Sequence, residues 1–188
     1  MRVIAGHLKG RQLKAPDGAQ VRPTADRVKE ALFSIIGSRV VGARVLDLYA
    51  GTGSLGIEAL SRGAIAVTFV EHHPQALLAL RRNLRECGVQ HQSDIRPCRV
   101  DTFFARPPAG PPYDVVFADP PYQELGTIEQ WSRHLPEGLL AQEAVIVVEH
   151  ARKDLPASSI GRLSIARTYA YGDTALSIYR ASEVEPIA

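Results

Sequence analysis

The stretch RVLDLYAGTGSLGIEAL, residues 44–60, decides the fold class of this chain. Its segment RVLDLY at 44–49 predicts a strand, and the turn that follows carries Gly51 and Gly53. Apolar residues then recur at helical spacing, which predicts a helix over 54–62 directly after the turn. A strand, a glycine-rich turn and a helix in this order are typical of a βαβ unit with a parallel sheet.

The same alternation continues on both sides of this stretch. Strands are predicted at 66–71, 95–100, 113–118 and 144–149, and helices at 74–87 and 127–134. Two further strands, at 162–172 and 175–181, are close enough in sequence to pair as an antiparallel hairpin. Upstream, residues 2–14 predict a short basic hairpin or arm, followed by a helix with Thr24 as N-cap and Gly37 at its end. We therefore expect a Rossmann-like, doubly wound α/β fold. We divide the chain into an N-terminal arm and helix at 1–40 and a main domain at 41–188.

Composition favours a soluble globular protein. The chain has 188 residues, of which 45% are hydrophobic, and a net charge of +2, so it can bury a core and wholesale disorder is excluded. Its longest apolar runs, such as 144–148, are too short to cross a bilayer, and basic residues interrupt the start where a secretory signal would need an apolar segment. Two cysteines without metal-ligand spacing fit a reducing compartment. We expect a cytoplasmic monomer with no membrane partner and no metal site.

Positive charge is concentrated at the amino-terminal end. Residues 1–44 contain nine Lys or Arg and three Asp or Glu, whereas the remainder is net negative. Such asymmetry is typical of an arm that binds a polyanion, although a solvated surface explains the charge count equally well. The candidate phosphate-binding residues are Arg2, Lys9, Arg11, Lys14, Arg22 and Arg27.

The first half of the predicted sheet has the features of a site for an adenosine cofactor. Ligands of such folds bind at the carboxyl ends of the strands, where glycines let the backbone approach closely. Glu71 ends the second strand, where it is placed to accept ribose hydroxyls, and Asp101 follows the third, near an adenine amino group. Either acid is also explained as a solvated carboxylate. Because the turn matches Gly-x-Gly-x-x-Gly, it does not separate dinucleotides from other adenosine cofactors. The candidate cofactor residues are Asp47, Ala50, Gly51, Thr52, Gly53, Glu71, His72, Asp101 and Thr102.

The fourth strand ends in FADPPYQ, residues 117–123, at the same end of the sheet. Two prolines lack N–H groups and have fixed φ, so the carbonyls of Asp119 and Pro120 are held in one direction. A carboxylate beside a fixed carbonyl can accept both hydrogens of an exocyclic amine, while Tyr122 offers a ring on which a base can stack. Pro121 completes this candidate substrate site. Cys98 after Pro97 is a candidate nucleophile by its dipeptide, but core packing is the better explanation.

The motifs DLYAGTGSLGIEAL (47–60), VE (70–71), DPPY (119–122), RPTADRVKEALF (22–33) and GDTALSIYR (172–180) together resemble the bacterial 16S ribosomal RNA guanine-N2 methyltransferases, the RsmD family of class I S-adenosylmethionine-dependent enzymes. The resemblance implies a seven-stranded sheet whose final hairpin is antiparallel. It implies that Asp47, Gly51 and Gly53 line the methionine side of S-adenosyl-L-methionine, that Glu71 binds the ribose, and that Asp101 lies near the adenine. It also implies that residues 119–122 hold the target base.

This resemblance predicts transfer of a methyl group to N2 of a guanine in 16S ribosomal RNA, either in the small subunit or in an assembly intermediate. Asp119, Pro120 and Tyr122 are the predicted catalytic residues, and Thr24 joins the basic residues of 1–40 as a candidate RNA contact. DPPY also occurs in adenine-N6, cytosine-N4 and glutamine-N5 methyltransferases, so the motif does not fix the substrate. Two alternatives stay open. One is an amino-methyltransferase acting on DNA; the other is a nucleic-acid-binding protein that keeps the fold without turnover.

Overall fold

The computed structural model describes residues 1–15, 23–120, 135–154 and 156–181, apart from the side chains of residues 23–25 and 181. The helices are α1 (Pro23–Ile36), α2 (Ser54–Ser61), α3 (Pro74–Cys87) and α4 (Val100–Ala105), with 3₁₀ turns at Gly37–Val40 and Gln90–Gln92. The strands are β1 (Arg44–Leu48), β2 (Ala66–Val70), β3 (Ser93–Arg96), β4 (Tyr113–Ala118), β5 (Leu140–Ala151), β6 (Ser159–Ile160), β7 (Leu163–Tyr171) and β8 (Thr174–Ala181).

All eight strands form one sheet in the order β3-β2-β1-β4-β5-β8-β7-β6. The first five pair in parallel, and β8, β7 and β6 add to β5 in antiparallel fashion. The carboxyl ends of β2, β1, β4 and β5 lie side by side because these strands are parallel. The order in which the strands are connected reverses direction between β1 and β4. In doubly wound folds a ligand binds at such a point.

Each face of the sheet has its own buried cluster. Val45, Phe117 and Val147 contribute to one face, which α1, α2 and α3 cover, and Phe33 of α1 contacts Phe117 with ring centroids 5.5 Å apart. On the other face Leu48 and its strand neighbours pack against α4. We call these the α1 face and the α4 face. Apolar residues on both faces explain why the central strands have almost no polar positions.

Three predictions of local structure are wrong. The third strand ends at Arg96 rather than residue 100, because Pro97 lacks an N–H to continue the ladder, and α4 begins at Val100. Within the described residues the sheet has eight strands rather than seven, since the two-residue β6 is too short to leave an alternating pattern in the sequence. Helix α1 begins at Pro23, so Thr24 lies inside its first turn and is not its N-cap. The predicted helix at 127–134 lies outside the described residues.

The basic segment at the amino terminus is a hairpin packed on the body of the protein. An antiparallel bridge joins Arg2 to Gln12, while Val3, Leu8 and Leu13 are buried in the cluster of the α1 face. The arm and the sheet therefore share one core. The division of the chain at residue 40 stays a prediction. No helix within the described ranges is long and apolar enough to span a bilayer.

Candidate functional site

The turn after β1 is built from backbone conformations that favour glycine. Gly51 and Gly53 have φ of 55° and 84°, and Tyr49 has φ of 58°, a rare value for a residue with a side chain. A Cβ on Gly53 would lie 2.5 Å from Leu80 Cδ1, and one on Gly56 would lie 2.2 Å from Phe69 Cε1. The glycines therefore allow both the sharp turn and the close packing of α2 and α3 on the sheet.

Glu71 ties the end of β2 to this turn. Its Oε2 accepts the Gly51 N–H at 2.8 Å, and its Oε1 accepts the N–H groups of His72 at 2.7 Å and His73 at 2.6 Å. The carboxylate is buried, yet its Oε2 keeps acceptor capacity beyond the single bond it makes. Sequence reasoning placed Glu71 at this strand end, and the structure brings its carboxylate against the glycine turn.

Asp47 is buried beneath the turn. Its Oδ2 accepts the Gly56 N–H at 2.9 Å, which anchors the first turn of α2. Burial raises the pKa of Asp47 to about 7, opposed by that hydrogen bond and reinforced by the nearby charges of Asp119 and Glu71. The carboxyl groups of the neighbouring strands thus form one electrostatic cluster.

The other predicted cofactor residues surround the turn at different depths. Ala50 is buried and donates its N–H to Val70 O at 3.0 Å, and Thr52 Oγ1 contacts the sulfur of Met1 at 3.6 Å. The His72 ring is half exposed beside Glu71, whereas Asp101 and Thr102 are exposed in the first turn of α4. Asp101 bonds locally, since its Oδ1 accepts the Thr102 N–H at 2.7 Å.

Asp119 and Pro120 follow β4, next to the glycine turn of β1. Leu48 pairs with Ala118, so Asp119, the next residue after β4, lies beside the start of the turn that follows β1. Asp119 is an exposed residue, but the protein atoms around its carboxyl group partly desolvate it and raise its pKa to about 6. Pro120 is buried. The structure therefore brings the predicted amine acceptors and the predicted cofactor turn to adjacent strand ends.

Glu149 belongs to the same cluster, and sequence reasoning missed it. Val148 of β5 pairs with Ala118, and one residue further along both strands Glu149 stands beside Asp119. Burial, and then the charge of Asp119, raise the pKa of Glu149 to about 8. The signal was present in the sequence, because AVIVVE at 144–149 ends in an acid just as AVTFVE at 66–71 does.

The basic residues of the arm remain free of the core. Their side chains are exposed, whereas the backbone beneath them is held by buried groups that sequence reasoning missed. Asn83 accepts the Lys14 N–H at 2.8 Å and donates to both Lys14 O and Thr52 O, which links the arm to the glycine turn. The exposed basic residues are Arg2, Lys9, Arg11 and Lys14 of the arm and Arg27 of α1.

A second anchor lies under the start of the arm. Glu58 is fully buried and accepts the N–H groups of Ile4 and Ala5, at 2.7 Å and 3.0 Å. Its charge is balanced by Arg62 at 2.8 Å and by Lys29 at 3.5 Å. Burial lowers the pKa of Lys29, and Glu58 opposes that shift. Lys29 also donates to Arg2 O at 2.6 Å.

Four of the predicted site residues lie wholly or partly outside the described part of the chain. Arg22, Pro121 and Tyr122 lie outside the described residues, and so does the side chain of Thr24. A cavity of about 510 Å³ lies elsewhere, at the amino-terminal ends of β1 to β4, and is lined by Arg44, Thr68, Arg96 and Tyr113 among others. Because ligands of this fold bind at the carboxyl ends of the strands, we do not assign that cavity to the cofactor.

Comparison with solved structures defines the class of protein. A hypothetical protein from a Thermus species has a TM-score of 0.80 with this chain at 27% identity, covering 96% of this chain and 99% of that one. An RNA methyltransferase from Salinibacter ruber, solved in complex with S-adenosyl-L-homocysteine, has a TM-score of 0.61 at 14% identity, covering 89% and 97%. At that identity the likeness concerns the fold alone. The chain has the fold of class I methyltransferases, as expected.

Comparison of sequences then defines the family. The family described as Conserved hypothetical protein 95 matches residues 1–180. The protein named ribosomal RNA small subunit methyltransferase D in Escherichia coli (strain K12) is 34% identical over 181 residues, covering 96% of this chain and 89% of that protein. The chain belongs to this family, the RsmD family that its motifs resemble.

Proposed function

We propose that this protein transfers a methyl group from S-adenosyl-L-methionine to the exocyclic N2 of a guanine in small-subunit ribosomal RNA. The observation that carries the proposal is the position of Asp119 and Pro120 beside the glycine turn of the neighbouring strand. Membership of a family whose named relative methylates small-subunit ribosomal RNA supports the choice of substrate.

The chemistry follows from what an aromatic amine needs. The lone pair of guanine N2 is delocalised into the ring, so the free amine is a poor nucleophile. If its two hydrogens are donated to the Asp119 carboxylate and the Pro120 carbonyl, the nitrogen becomes tetrahedral and its lone pair points away from both acceptors. Such positioning contributes up to about 7 to 11 kcal/mol in favourable cases. No strong base is required, because the amine proton becomes acidic only after the methyl group is transferred.

The residues around the turn suit the proposed methyl donor, which supplies an activated sulfonium methyl group when bound. Gly51 has open space where a side chain would be, since only Tyr49 O lies within 4 Å of the Cβ position. Glu71 Oε2 keeps acceptor capacity for a ribose hydroxyl. We assign Asp47, Ala50, Gly51, Thr52, Gly53 and Glu71 to this site, with His72, Asp101 and Thr102 at its rim.

The target amine belongs to the base-pairing edge of guanine. We therefore propose that the base is unstacked and enters the site alone, with Tyr122 replacing its lost stacking neighbour. The exposed basic side chains of the arm bind flanking phosphates in this scheme. The packed backbone of the arm fixes the points from which these side chains extend relative to the glycine turn.

A methyl-transfer assay tests the proposal. The protein is offered small ribosomal subunits, free 16S RNA and duplex DNA side by side with S-adenosylmethionine labelled in its methyl group, and the products are digested and separated as nucleosides. We expect label in N2-methylguanosine from RNA. Label in N6-methyladenine or N4-methylcytosine from DNA would instead support the DNA enzyme. Nucleic-acid binding without label in any substrate would support the non-catalytic alternative.

A further inference from the structure

The outer strand β7 changes the direction of its side chains halfway along. Ile165 pairs with Tyr179 of β8, but the next paired residue is Arg167, opposite Ile178, so Ala166 is an extra residue in a bulge. Side chains alternate between faces, and one extra residue exchanges the faces for everything that follows. Ile165 accordingly packs with the α4 face, whereas Tyr169 and Tyr171 pack with the α1 face.

The residues that the bulge redirects, Arg167, Tyr169 and Tyr171, form a strip that combines a cation with two aromatic rings. Arg167 is exposed, and its guanidinium lies 5.0 Å from the centre of the Tyr169 ring. Tyr169 and Tyr171 are partly exposed and stand two positions apart on the same face. A cation beside two accessible aromatic rings matches the chemistry by which proteins bind unpaired nucleotides, with rings for the bases and a charge for the phosphate.

The strip is in line with the candidate active site. Tyr169 pairs with Leu176, Leu176 pairs with Glu149, and Glu149 stands beside Asp119 on the next strand. All of these positions belong to the α1 face. At the usual spacing of neighbouring strands, the Cα atoms of Tyr169 and Asp119 are about 14 Å apart, a distance that an unstacked strand covers in a few nucleotides.

The strip also has access to solvent along its outer side. Pairing of β7 with β6 involves only Ser164 and Leu163. Within the described part of the chain, the outer backbone of 166–171 therefore has no strand against it. Arg167 is exposed, and the two tyrosines pack against the α1 face with part of each ring while the rest stays accessible.

We propose that Arg167, Tyr169 and Tyr171 bind unpaired RNA nucleotides that flank the target nucleotide. This inference rests on the proposed function for the identity of the polymer. It adds a second RNA contact on the side of the active site opposite to the arm, because the arm packs on α2 and α3 beyond β1, whereas β7 lies beyond β5.

The test measures binding without turnover. Fluorescence anisotropy gives the affinity for a labelled unpaired RNA oligonucleotide and for a blunt RNA duplex of the same length. Tyr169→Leu and Tyr171→Leu keep apolar packing but remove the stacking face, and we expect each to weaken oligonucleotide binding about fivefold or more. Tyr169→Phe and Tyr171→Phe keep the face and should bind as the wild type does. Arg167→Gln should lower the salt slope of log K by about 0.7.

Controls separate this inference from its alternatives. Arg106→Gln removes one exposed charge beyond α4 and should leave oligonucleotide affinity unchanged. Thermal melting and S-adenosylmethionine affinity verify that each variant is folded. Unchanged oligonucleotide affinity in the Leu and Gln variants would overturn the inference even if the wild type methylates guanine. Loss confined to assembled subunits, with naked RNA unaffected, would also overturn it and indicate a protein partner. A wild type that binds the oligonucleotide through the strip but forms no N2-methylguanosine would reject the proposed function alone.

Discussion

Asp119 joins two properties in one carboxyl group. Asp119 follows β4 directly and lies beside the glycine turn, and desolvation by the surrounding protein raises its pKa to about 6. An ionised carboxylate accepts hydrogen bonds through both oxygens, whereas a protonated one must donate through one of them. The acceptor role proposed for Asp119 therefore depends on pH at about pH 6.

The first prediction concerns this pH dependence. The raised pKa means that Asp119 takes up a proton as the pH falls through about 6, and in the proposed mechanism the active form is the ionised one. We expect kcat/KM for methyl transfer to rise with pH, to reach half of its maximum at about pH 6 and to level off about one pH unit above that. Fixed-time methyl-transfer assays between about pH 5 and 8 measure the dependence of kcat/KM on pH, and circular dichroism is the folding control. A flat profile across this range would contradict the acceptor role of Asp119.

The second prediction concerns Glu149. The negative charge of Asp119 helps to hold its pKa at about 8, so Asp119→Asn should lower that pKa. Carbon-13 NMR titration of the Glu149 carboxyl group measures the change. Asp94→Asn, which alters an exposed acid of β3, is the matched control and should leave the titration where it was. If both variants titrate like the wild type, the two carboxyl groups are not neighbours.

At the scale of elements, buried polar groups fix the arm to the helices. Glu58 is the centre of this arrangement, since it binds two backbone N–H groups of the arm and two cationic side chains. Arg62 in turn lies over the ring of Phe33, 4.6 Å from its centre, and so connects the network to α1. The arm, α1 and α2 therefore depend on one another for their positions.

The third prediction tests that dependence. Glu58→Ala leaves Lys29 buried without its counter-charge, and losing one partner of a buried pair typically costs about 3 to 5 kcal/mol. We expect the free energy of unfolding to fall by this amount in urea denaturation. Glu86→Ala, at an exposed ion pair with Arg82, should change it little. Equal effects of the two substitutions would show that the buried network does not hold the arm.

Sequence patterns predicted the elements that have a strong period or a clear terminal residue. Helix α3 runs from Pro74 to Cys87 as expected, because a proline can start a helix and Gly88 adopts the left-handed conformation that ends it. The hairpin of β7 and β8 formed for the same kind of reason, with Gly172 at its turn. The bulge at Ala166 and the short β6 could not be predicted, since each depends on pairing between strands and not on local preference.

Some residues of the candidate site could be predicted from the sequence, and others could not. Residues at strand ends, such as Glu71 and Asp119, could be predicted because the fold brings the carboxyl ends together. Asn83 and Lys29 could not, since each lies within a helix and acquires its partners only when the arm packs there. Polar residues of this kind look like ordinary surface residues in a helical pattern.

At the scale of the whole molecule, the α1 face carries both groups of candidate RNA contacts. The arm lies over α2 and α3 on one side of the carboxyl ends, and the strip on β7 lies on the other side. The acidic cluster of Asp47, Asp119 and Glu149 lies between them. An RNA strand that crosses this face would meet basic groups before and after the site at which its base is methylated.

The fourth prediction is the salt dependence of RNA binding. The triple variant Lys9→Gln, Arg11→Gln and Lys14→Gln removes three exposed charges without touching the buried apolar residues of the arm. We expect the slope of log K against log salt to fall in magnitude by about 2 to 3. A triple variant of the exposed Arg106, Arg152 and Lys153 to glutamine is the control. Equal slopes for the arm variant and the wild type would remove the arm from the RNA interface.

The most direct test of the account is the single-turnover rate of methyl transfer in Asp119→Ala, measured with saturating S-adenosylmethionine and small-subunit RNA. The substitution removes one of the two acceptors that orient the amine, and it leaves the glycine turn and Glu71 in place. We predict a rate at least about a hundredfold lower, with the dissociation constant for S-adenosylmethionine within a few fold of the wild-type value. A rate close to that of the wild type would contradict the account.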